Sequence, residues 1–206
     1  MTDLEKALAD IDAIKNQLAR GAEFRGYGPA TVALTGLLAF AAAILQAAWL
    51  GNPAEQTGAF IAIWFAAAGI GALLIAAEAV TRSRRLHSAL ADEMIYAALA
   101  QFLPACVAGG LLAVVLARFA PETVWMLPGL WQILFSLGIF ASCHLLPKAL
   151  FAAGVWYLVC GLVGIVIAAT GHWVLSPWVM GVPFGVGQLI FAAILYRTLG
   201  ASDAQV

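Results

Sequence analysis

The chain has 206 residues, 64% of them apolar and only 10% charged, with a mean hydropathy of +0.96. Soluble domains carry roughly 45–50% apolar and about 25% charged residues, so the composition excludes an ordinary soluble globule and, by its shortage of charge, a disordered chain. A formal net charge of −1 supplies no basic field for nucleic acid. The class left is an all-α integral membrane protein, with the lipid bilayer as its first partner.

Residues 1–25 are polar and mixed in charge, without the basic-then-apolar order of a cleavable signal peptide. Thr2 and Glu5 match a capping box, and Leu4, Ala7, Ile11, Ile14 and Leu18 recur at spacings of three and four, the pattern of a cytoplasmic amphipathic helix. Acids and bases balance on its polar face, whereas helices that lie on lipid are strongly basic there. The stripe Leu4, Ile11, Ile14 and Leu18 is therefore expected either to pack on the end of its own bundle or to bind a partner. Through residues 2–20 that partner is a second copy or a cytoplasmic protein.

Crossing the hydrocarbon core takes about 20 apolar residues in a helix. Residues 26–54, 56–77, 94–117, 123–147 and 149–196 contain no Asp, Glu, Lys or Arg, and the last run is split by Thr170-Gly171-His172 and Ser176-Pro177. Six transmembrane helices are expected, at about 29–50, 58–80, 95–117, 124–146, 149–169 and 176–196. They form a membrane domain over 26–197, followed by a short tail over 198–206. Lys6, Lys15, Arg20, Arg25, Arg82, Arg84, Arg85, Lys148 and Arg197 then fall on one side and Arg118 alone on the other. By the positive-inside rule both termini face the cytoplasm, as in a protein of a bacterial inner membrane.

The two halves match in part. Shifted by 92 residues, Pro29, Thr31, Val32, Trp64 and Gly69 meet Pro121, Thr123, Val124, Trp156 and Gly161. Shifted by 79, Pro104, Ala113 and Arg118 meet Pro183, Ala192 and Arg197. One reading is a 3+3 inverted repeat, 29–118 and 121–197, as in secondary transporters whose sites lie at interrupted helices near the midplane. The other is chance recurrence among Ala, Gly, Leu and Val, with prolines that transmembrane helices tolerate. On the first reading Gln101, Pro104, Gln132, Ser136, Pro183, Gly185 and Gln188 make up a midplane polar site. On the second the glutamines are interhelical hydrogen-bonding groups.

Glu78 is the one acid inside an expected span and the candidate for carrying a proton, although Arg82 four residues on offers it an interfacial ion pair. Cys106, Cys143 and Cys160 read as packing thiols, Cys143 being nearest water, and His87, His144 and His172 show no ligand clustering. No hydrolase elbow, phosphate loop or metalloprotease motif is present, so neither an enzyme nor a cofactor is expected.

Two functions remain: a small-solute or ion transporter or channel-like protein, and a membrane-anchored regulatory or scaffolding protein acting through its N-terminal helix. The orientation carries its own test. A cysteine placed at position 54 should react with an impermeant thiol reagent on intact cells; reaction only after permeabilisation would reverse the topology.

Overall fold

The computed structural model describes the backbone of residues 28–53, 55–86, 89–143 and 148–203, and the side chains within 28–53, 55–81, 100–143 and 149–197. The expected N-terminal helix with Leu4, Ile11, Ile14 and Leu18 lies outside these residues. Six helices are long and apolar enough to cross a membrane, and no strand occurs among the described residues. The protein is an all-α membrane protein. We number the helices α1 (Pro29–Trp49), α2 (Thr57–Leu86), α3 (Ala89–Phe119), α4 (Leu127–Ser142), α5 (Phe151–Ala169) and α6 (Pro177–Asp203), with a 3₁₀ segment, Pro121–Met126, leading into α4.

Proline sets several of the starts, because its missing N–H costs nothing in a first helical turn. Pro29 opens α1, and prolines stand in the first turns of the 3₁₀ segment and of α4. The stretch from 81 to 94, expected as a loop from its charges, is largely helix: α2 runs to Leu86 and α3 begins at Ala89. Charge marks where hydrocarbon ends, not where a helix must end. At 1.5 Å per residue, the 30 residues of α2 and 31 of α3 exceed what the bilayer core needs.

Each helix packs on its sequence neighbour, and α1 closes on α6 to complete a ring. Paired positions show the antiparallel sense of the seams. Gly36 of α1 lies at Gly185 and Gln188 of α6 while Ala43 lies at Gly181, and Gly109 of α3 meets Trp131 of α4 while Phe102 meets Gly138. The broadest seams are α1 with α6 and α4 with α5. Both depend on glycine. A methyl group at Gly129 would stand 2.5 Å from the Gly161 carbonyl oxygen, and one at Gly161 would stand 2.7 Å from that of Gly129. Without a hydrophobic force between helices in lipid, close backbone approach of this kind is what holds them together.

Rings fill the interior. Phe135 of α4 contacts Phe102 of α3 at 4.9 Å, Tyr157 of α5 at 4.7 Å and Phe184 of α6 at 5.4 Å, between ring centroids. Nearer the α1–α2 connection, Trp131 lies parallel to Phe60 at 6.4 Å and edge-on to Phe65 at 5.6 Å. By contrast α2 and α3 present most of their span surface outward, including Leu73, Leu103, Leu111 and Val114.

The matched halves differ in their surroundings. Val32 and Val124 are both buried, as are Ala113 and Ala192. Gly161 is buried at a backbone crossing, however, while its counterpart Gly69 is exposed with nothing near it, and Pro183 is buried while Pro104 is exposed.

The glycine seam and the open glycine make a paired prediction for thermal unfolding of the detergent-purified protein. Gly129→Ala drives a methyl into a backbone carbonyl and should destabilise by about 1–3 kcal/mol. Gly69→Ala meets open space and should stabilise by about 0.5–1 kcal/mol through helix propensity. Equal effects from the two would mean that the α4–α5 crossing is not close.

Candidate functional site

Helix α6, like α3, carries a proline in its interior. Pro183 lies inside it and has no N–H to give to the carbonyl four residues earlier, that of Val179. In hydrocarbon such a carbonyl must find a donor elsewhere. Gln132 supplies it from α4, its Nε2 donating to the Val179 carbonyl at 2.7 Å. Trp156 of α5 donates its indole N–H to the Pro183 carbonyl at 3.0 Å, and the Tyr157 hydroxyl reaches the Phe184 carbonyl at 3.4 Å. Two more neighbours press on the following turn: Phe40 of α1 packs on Gly185, and Tyr157 of α5 on Gly187.

A second polar cluster ties the connections at one end. Gln46 of α1 is fully buried, donates through Nε2 to the Leu175 carbonyl at 2.7 Å, and accepts at Oε1 from the Trp64 indole at 2.7 Å. The α5–α6 connection it holds is sharply bent: Gly171, Trp173 and Leu175 have φ of 79°, 53° and 52°. The left-handed region costs a residue other than glycine about 1–2 kcal/mol. Leu175 is kept there by its anchored carbonyl and by a side chain buried against Phe60, Trp64 and Met180.

The residues expected to form one midplane site are divided by the structure. Gln132, Ser136, Pro183 and Gly185 are buried, and Gln188 is half-buried at the α1 crossing beside Gly36. Gln101 and Pro104 are exposed on the outer surface of α3. Helices α3 and α6 share no extensive seam, and Phe102, Phe135 and Phe184 stand between α3, α4 and α6. Gln132, not Gln188, meets the carbonyl released by Pro183. Ser136 donates to its own helix, to Ile133 at 2.7 Å. Glu78 is half-buried in α2 and engaged in an interaction.

Reading the sequence missed the role of tryptophan. Trp64, Trp131 and Trp156 each spend their indole N–H across a seam, Trp131 on the Gly109 carbonyl at 3.0 Å. Tryptophans well inside the apolar runs, away from the boundary belt, were the available signal. The matched pair Trp64 and Trp156 serve different seams, the first reaching back to α1 and the second forward to α6.

Among the described residues no group of three or more His, Cys, Asp or Glu gathers to hold a metal ion. Cys143, at the end of α4, is half-buried, and burial pushes its thiol above the ordinary value. No protein-family model, curated protein or solved structure matches the chain.

The two buried glutamines should rank differently. Gln46→Leu strands both the Leu175 carbonyl and the Trp64 indole, at about 1–3 kcal/mol for each stranded group. Gln132→Leu strands the Val179 carbonyl alone. Unfolding in detergent should therefore show Gln46→Leu as the more damaging, and the reverse order would contradict the assigned bonds.

Proposed function

We propose that this protein is a non-catalytic membrane-anchored scaffold or regulator, whose packed six-helix domain holds the N-terminal segment at the cytoplasmic face of a bacterial inner membrane. The observation that carries this reading is the occupied centre: Phe135 packs on Phe102, Tyr157 and Phe184 where α3, α4, α5 and α6 face one another. The side-chain N–H and O–H donors of Gln132, Ser136 and Trp156 are spent on backbone carbonyls. Such an interior favours a fixed platform over a path for solute. The working surface is then the stripe Leu4, Ile11, Ile14 and Leu18, presented to a second copy or a cytoplasmic protein. The balanced charge of the segment's other face suits a protein partner better than lipid. Transport by way of Gln132 and Pro183 is the competing reading, favoured by the proline inside α6.

Complementation separates the two. In a strain lacking the chain, the wild-type phenotype should be restored by Gln132→Leu but not by the double variant Ile11→Ser, Leu18→Ser, with both proteins present in the membrane at normal level. Restoration by the stripe variant together with failure of Gln132→Leu would overturn the scaffold in favour of transport.

A further inference from the structure

A proline and a glutamine answer one another between α6 and α4, and α3 carries the same two residue types on its outward side. Pro104 lies inside α3 and has no N–H for the carbonyl four residues earlier, that of Ala100. Gln101 is the next residue along, is exposed, and makes no hydrogen bond through its amide among the described residues. Ala100 and Pro104 are exposed as well. Only 11% of the most apolar stretch of α3 is buried, so the described helices leave this side uncovered.

Depth makes the gap costly. The charges that flank Gln101 along α3 are Glu93 and Arg118. At 1.5 Å per residue they stand about 12 Å to one side of it and about 26 Å to the other. Wherever a hydrocarbon core about 30 Å thick is set between them, Gln101 falls inside it. Lipid tails offer no hydrogen-bonding group there, so the amide calls for another transmembrane helix.

That helix must bring a donor and an acceptor to the same depth. Gln101, Pro104, Ala108, Leu111 and Val115 are all exposed and recur at spacings of three and four, so they share one seam along α3. A second copy meets the depth requirement by symmetry. A two-fold axis along the membrane normal sets α3 beside α3 in parallel and brings Gln101 to Gln101. Each amide has two N–H donors and one carbonyl oxygen, so the pair satisfies itself, and the Ala100 carbonyls accept the N–H groups left over. Small side chains at Ala100 and Ala108 flank the pair and allow close approach. Leu111 and Val115 widen the spacing toward Arg118, whose long side chain reaches the boundary.

We infer that the outward face of α3 is a homodimer interface within the membrane, with Gln101 as its polar contact and Pro104, Ala108, Leu111 and Val115 as its seam. The inference does not rest on the scaffold reading, because this seam is separate from both the N-terminal segment and the Pro183 turn.

The full chain in liposomes that hold no other protein tests it. Pools labelled with donor and acceptor dyes at the C-terminus should show energy transfer that persists as lipid is added. Gln101→Leu should weaken the association about three- to thirtyfold, and Gln101→Asn, which keeps an amide, should retain most of it. Gln101 is exposed, so the leucine variant should keep the helical circular-dichroism spectrum of the parent. With Cys106, Cys143 and Cys160 replaced by alanine, Ala108→Cys should give disulfide-linked dimers under a lipid-soluble oxidant. Val159→Cys, at an exposed site near the middle of α5, should not. Energy transfer lost on modest lipid dilution, indifference to Gln101→Leu, or equal linking at 108 and 159 would overturn the dimer. So would oxidation in native membranes that links position 108 to a different protein in place of a second copy.

Discussion

A backbone carbonyl that loses its helical partner in hydrocarbon has no water to turn to, and the membrane domain is arranged around one such group. Pro183 releases the carbonyl of Val179, and Gln132 crosses from α4 to meet it. That bond sets where α4 stands relative to α6 and fixes which way the Gln132 amide points. The next turns of α6 are held by further contacts. Trp156 and Tyr157 reach its carbonyls from α5, while glycines at 185 and 187 admit Phe40 and Tyr157 against its backbone. The last helix touches α1, α4 and α5, most broadly α1.

Packing between the helices relies on small residues, as expected where lipid tails are as apolar as leucine. Gly129 against Gly161, and Gly36 against the Gly185 carbonyl, bring backbones together so that dispersion contacts replace the hydrophobic force available in water. Aromatic side chains then take up the volume those crossings leave. Phe135 joins α3, α4, α5 and α6 through ring contacts, and Trp131 joins α2 to α4 through Phe60 and Phe65. The outcome is unequal: α1, α4 and α6 bury about two-fifths of their most apolar stretches (39%, 44% and 44%), while α2 and α3 bury 17% and 11%. The proline and glutamine of α3 fall on its uncovered side, which is why Pro104 and Gln101 do not take part in the polar contacts of Pro183.

The number of spans was legible because hydrocarbon thickness writes directly into the length of charge-free runs. Helix ends were less so: the charged stretch around Arg82, Arg84 and Arg85 is unfavourable inside lipid but no obstacle to helix, and α2 continues through it to Leu86. The candidate site was legible in residue type and not in pairing. Pro183 and Gln132 were both picked out, yet nothing in the sequence pairs them, and Gln188 lies nearer the proline along the same helix. A side chain five residues along its own helix projects in another direction from the carbonyl four residues back. Answering it takes a second helix, and which one lies there depends on crossings set by Gly129 and Gly161. The correspondence between halves is likewise visible in letters, but whether a matched position is buried is decided by neighbours, as Gly69 and Gly161 show.

The bond between Gln46 and Leu175 joins positions 129 residues apart, and the broad seam of α1 on α6 spans a similar separation. Chains are synthesised and inserted from the N-terminus, so α1 enters the bilayer long before its principal neighbour exists. Trp64, which follows within the next hairpin, can meet Gln46 at Oε1 early, but the amide N–H must wait for Leu175 in the α5–α6 connection, and the small-residue face of α1 for the sixth span. Biogenesis of this bundle therefore ends in a closure step, and a ribosome that stops before α6 leaves an assembly open along the first helix. Such an assembly exposes a Gly-Ala surface within the bilayer, the kind of feature by which membrane quality control separates unfinished chains from finished ones.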